Sequence, residues 1–107
     1  MSLSKYDAVY KLLLEVEQNR EKFDTEEKSL LKSMREKQAS TTGWKRYRDC
    51  QSLFRTADKY LQLAHNEALL AVKRPTDKSI RSISHNLEMF DHAWQNARQW
   101  ALIGALS

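Results

Sequence analysis

Two stretches in the second half of the chain carry apolar or small residues at an unbroken alternation of three and four positions. This spacing is typical of the seam of a coiled coil, in which one stripe of each helix faces its partner. We call the stripes the 47–71 seam and the 80–104 seam. The first consists of Tyr47, Cys50, Phe54, Ala57, Leu61, Ala64, Ala68 and Ala71, and the second of Ile80, Ile83, Leu87, Phe90, Trp94, Ala97, Ala101 and Gly104.

The segment between the two seams, residues 74–76, contains Pro75 and predicts a reversal of the chain. An antiparallel pairing can then be laid out so that the residue numbers of every facing pair add up to 151. In this register large residues face small ones, as Trp94 faces Ala57 and Phe54 faces Ala97. Such alternation fills the space between two helices without overpacking it. We therefore predict a long αα-hairpin.

Two shorter helices are predicted before the hairpin. The first spans about residues 4–23, with Tyr6, Val9, Leu13, Val16 and Phe23 on one face and Arg20 in the remaining heptad position. Asp24, followed three residues later by Glu27, resembles a capping box and predicts the start of a second helix. We expect this second helix to fray from Gln38 onward.

Residues 39–43 combine cap-forming and β-branched residues with a glycine, which indicates a break or kink. Thr41 or Thr42 would cap the third helix there. The alternative is a helix that continues through this segment. The predicted spans are about 43–73 for helix three and 76–105 for helix four, with Thr76 or Asp77 as the N-cap of the latter.

These elements predict an all-α, antiparallel four-helix bundle with two short N-terminal helices and a long C-terminal αα-hairpin. The short helices would reach along only about half of the hairpin and leave part of its apolar surface uncovered. The apolar tail of helix four either packs on helix one or forms an oligomer or partner interface, and a homodimer is expected. The interface residues would be Trp100, Leu102, Ile103 and Leu106.

Length and composition limit the class of protein. The 107 residues suffice for one domain, 1–107, but not for separate catalytic and cofactor domains. The sequence lacks a run of roughly 20 apolar residues that could span a bilayer, and residues 1–18 do not have the layout of a signal peptide. We therefore expect a cytoplasmic protein without membrane contact. The single Cys50 is interpreted as a small buried hydrophobic residue.

Positive charge is concentrated near the start of the third predicted helix. Residues 41–75 carry seven basic and three acidic side chains, although the net charge of the whole chain is only +4. Cations in the first turns oppose the helix dipole, so a nearby anion would stabilise them. Three interpretations stay open: a solvated or internally paired face, a nucleic-acid site and a site for an acidic protein. The candidate binding residues are Trp44, Lys45, Arg46, Arg48 and Arg55.

Catalytic and metal-binding patterns are missing from the sequence. His85, Glu88 and His92 share one side of helix four, but the two histidines are about 10 Å apart along the axis, too far to hold one metal ion. The chain has no glycine-rich phosphate loop and no nucleophile elbow. We therefore predict no cofactor, no metal and no enzymatic activity.

The predicted function is that of a small non-enzymatic binding protein, of accessory, adaptor or inhibitor type, that acts through protein–protein contacts. The alternative is a nucleic-acid-binding accessory subunit that uses the basic N-terminal end of helix three.

Overall fold

The computed structural model describes the backbone of residues 4–36 and 41–106, and the side chains of residues 4–36 and 45–103. This part of the chain forms three long α-helices: α1 (Lys5–Glu36), α2 (Thr41–Ala71) and α3 (Asp77–Leu106). They pack side by side as an elongated bundle of 56 × 20 × 18 Å. The protein is thus an all-α three-helix bundle.

The prediction of four helices is wrong, because the two short N-terminal helices are one continuous helix. Asp24 does not start a new helix: its carboxylate accepts a hydrogen bond of 3.2 Å from Arg20, one turn earlier in α1. Glu27 is not a capping partner but the next polar member of the α1 seam. That seam runs through Val9, Leu13, Val16, Arg20, Phe23, Glu27, Leu30 and Met34. With no glycine or proline in Lys5–Glu36, nothing interrupts the helix.

α1 covers the full length of the hairpin, not half of it as predicted. Its 32 residues correspond to about 48 Å of helix. Lys5 forms an ion pair with Asp77 at the start of α3, and Glu26 is hydrogen-bonded to Arg98 near its end. Both pairs join residues 72 positions apart, so α1 and α3 are parallel and in constant register. α2 runs antiparallel to both.

The predicted hairpin is confirmed. α2 ends at Ala71 and α3 begins at Asp77, and Thr76 caps α3 as expected. The Thr76 hydroxyl accepts a hydrogen bond from the Ser79 amide at 3.0 Å, and the Ser79 hydroxyl accepts one from the Thr76 amide at 3.0 Å. α2 begins at Thr41, two residues before the predicted start. Part of the predicted break, residues 37–40, lies outside the described residues.

The seams form the core, as the spacing predicted. Members from Cys50 to Ala71 and from Ile83 to Ala101 are buried, while Tyr47 and Ile80 are half-buried. Gly104 lies outside the described side chains. At mid-height the ring of Phe23 from α1 lies between α2 and α3. Its centroid is 5.9 Å from that of Phe54, 5.4 Å from Phe90 and 5.8 Å from Trp94. Such aromatic contacts add roughly 0.5–1.5 kcal/mol per pair beyond area burial.

Candidate functional site

The predicted basic cluster does not form one surface. Lys45, Arg48 and Arg55 are exposed, but Arg46 lies on another side of α2 and is half-buried. Trp44 belongs to α2, and its side chain lies outside the described residues. Because α2 already begins at Thr41, the first of these cations is beyond the first turn. The helix dipole acts mainly within that turn, so the predicted need for a compensating anion is weakened.

A different grouping appears on the outward side of α2. Lys45, Arg48, Ser52, Arg55 and Lys59 follow each other at alternating spacings of three and four, and all are exposed. We call these residues the basic ridge. Over 14 residues of helix it extends for about 21 Å. Lys59 is not among the predicted binding residues, although the same spacing rule applied to polar residues identifies it.

The predicted tail interface is also divided. Trp100, Leu102 and Ile103 are exposed, so none of them is packed away on α1. Trp100 lines a shallow depression with Asp49, Ser52 and Leu53 of α2. Ile103 is three residues further along the same side. Leu102 points away from that side, because successive residues of a helix are rotated by about 100°. The side chain of Leu106 lies outside the described residues.

Three grooves separate the helices on the outside of the bundle, and charged side chains bridge two of them. Arg20 of α1 binds Asp58 and Gln62 of α2, the latter at 3.5 Å. Glu26 of α1 binds Arg98 of α3. These bonds identify the rows of residues that border the α1–α2 and α1–α3 grooves.

The α2–α3 groove has a different chemical character. The hydroxyl of Ser82 donates a hydrogen bond of 2.6 Å to Glu67 across it, and the rows that contain these two residues border it. Apart from Glu67 the rows are uncharged, and Asp49 continues the α2 row one turn before Leu53. We call them together the outer α2–α3 face. The rows are Leu53, Thr56, Tyr60, Leu63, Glu67 and Leu70 of α2, and Ser79, Ser82, Asn86, Met89, Ala93, Asn96, Trp100 and Ile103 of α3.

Much of this face is apolar and accessible to solvent. Leu70 is 72% exposed, Ile103 56% and Trp100 49%. Leu53, Tyr60, Met89 and Ala93 are half-buried between them. Both rows alternate at three and four positions, as the core seams do. α2 and α3 therefore each carry a second seam, which the described part of the chain leaves without a helical partner.

The polar residues of the α1–α2 groove form a satisfied structural network. The Arg20 side chain is only 24% exposed and is held by Asp58 and Asp24. Burial, followed by the carboxylates of Asp58 and Asp24, raises the pKa of Glu27 above its ordinary 4.5. The charge of Arg20 is compensated by these neighbouring carboxylates. The network therefore fixes the register of α1 against α2 and does not resemble a reactive site.

The remaining titratable groups do not converge. His85, Glu88 and His92 are exposed, and the described residues include no group of three or more His, Cys, Asp or Glu side chains arranged to hold a metal ion. Burial, with a smaller effect of Asp49, raises the pKa of the Cys50 thiol. That thiol therefore lacks the low pKa of a reactive cysteine.

The chain matches no protein-family model, no curated protein and no solved structure. Among the described helices, none is long and apolar enough to cross a membrane. The surface of the bundle is therefore the basis for a proposed function.

Proposed function

We propose that this protein is a non-catalytic binding module, of adaptor, accessory or inhibitor type, that docks another protein through the outer α2–α3 face. The observation that carries the proposal is the pair of mostly uncharged, partly apolar rows along this groove. Centres of protein interfaces are depleted in charge and enriched in aromatic anchors. Tyr60 and Trp100 are the aromatic residues of the face.

Exposed apolar residues elsewhere are less suited to docking. Tyr6, Tyr10 and Leu14 form a stripe on α1, but it lies on one helix and extends over only a few turns. The outer α2–α3 face lies between two helices and continues along most of the hairpin. It can therefore surround the side chains of a partner, which a single convex helix cannot do.

The proposal is tested with a photo-crosslinking amino acid placed at Leu63 on the face and, as a control, at Leu14 on α1. These leucines are closely matched, with 44% and 47% exposure. In cells that express the protein, we expect crosslinks to a defined protein from position 63 that are absent from position 14. A crosslinker at position 100 should capture the same partner protein. The additional substitution Leu63→Glu should abolish that crosslink. Equal crosslinking from both positions contradicts the proposal.

Nucleic-acid binding by the basic ridge is the second candidate. It is favoured by four cations, Lys45, Arg48, Arg55 and Lys59, on one exposed row without an acidic residue. The test is binding of a single-stranded oligonucleotide at about 50 mM salt, where phosphate contacts are strong. Replacing Lys45, Arg48 and Arg55 by alanine should abolish the binding without unfolding the protein. An unmodified protein that does not bind under these conditions contradicts this candidate.

A further inference from the structure

We infer that the outer α2–α3 face accepts one amphipathic helix whose apolar stripe is flanked by acidic residues. This inference rests on the proposed function and specifies its partner. The first observation is the spacing: each row alternates at three and four positions, which is the pattern that receives the side chains of a neighbouring helix. A helix lying in the groove would complete a four-helix arrangement of which the chain itself supplies three members.

The second observation is the charge along the borders of the face. In a helical bundle, the residues beside a seam face the flanks of the partner helix and select its charge. Here these border residues are basic or neutral, none is acidic, and all are exposed. They are Lys45, Ser52, Lys59 and Asn66 on α2, Lys73 in the turn that follows α2, and Lys78, His85, His92 and Gln99 on α3.

The α2 border coincides in part with the basic ridge, since Lys45, Ser52 and Lys59 belong to both. None of Lys59, Lys73 and Lys78 has an ion-pair partner among the described residues. Their charges are therefore available to glutamate or aspartate side chains of a docked helix. Such pairs at the rim of an interface contribute mainly to specificity and to the rate of association.

The same charges disfavour a second copy of this chain as the occupant. Two copies joined through this face would bring their borders together. Among the border residues, Lys59 or Lys73 of one copy would then meet only basic or neutral residues of the other. The acidic residues lie in the α2 row instead: Glu67, which already accepts a hydrogen bond from Ser82, and Asp49 at the far end. Like charges facing each other across a helical interface are unfavourable, and this is a common means of excluding the wrong partner.

Nucleic acid is disfavoured by the chemistry of the face itself. Phosphates would be attracted to the lysines, but Leu63, Leu70 and Ile103 would remain exposed to water, since they offer aliphatic surface with no hydrogen-bonding groups. The α2 row from Leu53 to Leu70 extends for about 25 Å. It therefore fits about five turns of a helix with Leu, Ile or Met toward the groove and Glu or Asp at both flanks.

The experiment uses two designed peptides of about 18 residues, the length that matches the α2 row. Both have leucine along one face, and the flanking positions are all glutamate in one peptide and all lysine in the other. Binding to the full chain is measured by fluorescence anisotropy of a label on the peptide. We expect the glutamate peptide to bind at least about tenfold more tightly than the lysine peptide, a difference well within reach of flanking charges.

Variants separate the two components of the interaction. Leu63→Glu should lower the affinity for the glutamate peptide by about tenfold or more, whereas the matched Leu14→Glu should leave that affinity unchanged. The double variant Lys59→Glu with Lys73→Glu should reverse the preference between the peptides. Equal affinity of the unmodified protein for both peptides, or no effect of Leu63→Glu, overturns the inference.

Two outcomes distinguish this inference from the proposed function. If crosslinks from position 63 reach a protein but neither peptide binds, the face docks a partner of another kind, and only the inference fails. If light scattering shows a dimer that Leu63→Glu dissociates, the occupant is a second copy, and the inference fails as well. If position 63 gives no specific crosslinks and neither peptide binds, both fail together.

Discussion

Glu26 of α1 accepts two hydrogen bonds from the guanidinium of Arg98 of α3, from Nε at 2.5 Å and from a terminal nitrogen at 2.8 Å. The same guanidinium lies over the ring of Trp94, with its carbon 4.5 Å from the ring centroid. One arginine therefore fixes the register of α1 against α3 and covers the edge of the aromatic core. Its hydrogen bond with Glu26 raises the pKa of Arg98 above its ordinary value.

Replacing Arg98 by lysine should lower the free energy of unfolding by about 1 kcal/mol. Lysine keeps the charge but loses the paired hydrogen bonds and the flat contact with Trp94. The control is Lys5→Gln, because Lys5 and Asp77 are both largely exposed and 3.8 Å apart. Such a pair contributes about 0–1 kcal/mol. Denaturant unfolding measures the free energy of unfolding of both variants. Equal losses of stability would mean that the geometry of Arg98 has no special role.

Glu27 should make the bundle less stable as the pH rises. Burial and two nearby carboxylates raise its pKa in the folded state above the ordinary 4.5. The folded protein therefore holds this proton more tightly than the unfolded chain does. Stability is lost as the pH increases from the ordinary pKa through the raised one.

The variant Glu27→Gln should remove this loss. At about pH 7 we expect the free energy of unfolding of the variant to exceed that of the unmodified protein by a few tenths of a kcal/mol. Near pH 4 the difference should shrink toward zero. Glu17→Gln, on the exposed side of α1, controls for the loss of a carboxylate elsewhere on that helix. A destabilised Glu27→Gln protein at about pH 7 would contradict this account.

Two positions with cap-like sequences should differ in how much their replacement by alanine destabilises the protein. Thr76 caps α3, so Thr76→Ala should cost about 1 kcal/mol. Asp24 lies inside α1 and caps nothing, so Asp24→Ala should change stability by no more than about 0.5 kcal/mol, the size of its pair with Arg20. Thermal or denaturant unfolding decides between them. A loss at Asp24 as large as at Thr76 would restore the predicted helix boundary.

How much could be predicted from the sequence depended on which residues occupied the seams. The α2–α3 hairpin was predictable because nearly every seam member there is apolar or small. α1 was divided wrongly because Arg20 and Glu27 occupy seam positions, and Asp24 beside them imitates a cap. The position of Asp58 across the groove explains why the charge of Arg20 is tolerated there.

The candidate site was predictable only in its components. The exposed apolar residues of α2 and α3 and the excess of cations in α2 are visible in the sequence. Their arrangement depends on which side of the hairpin α1 covers, and the sequence does not specify that side. Once α1 is placed, Leu63 and Trp100 fall on the uncovered side, while Leu102 falls on another.

The close approach of α2 and α3 should be sensitive to any increase in side-chain volume. Ala64 and Ala68 are fully buried between the helices, and in the predicted register they face Leu87 and Ile83. Ala64→Leu or Ala68→Leu would insert methylene groups into a filled space, which costs about 1–3 kcal/mol. The control is Ser84→Leu, because Ser84 is exposed beside the 80–104 seam. Thermal unfolding should show a clear loss for either alanine variant and little change for the control. If both alanine variants melt like the unmodified protein, the hairpin does not pair in the 151 register, and the face built on its outer side would have to be redrawn.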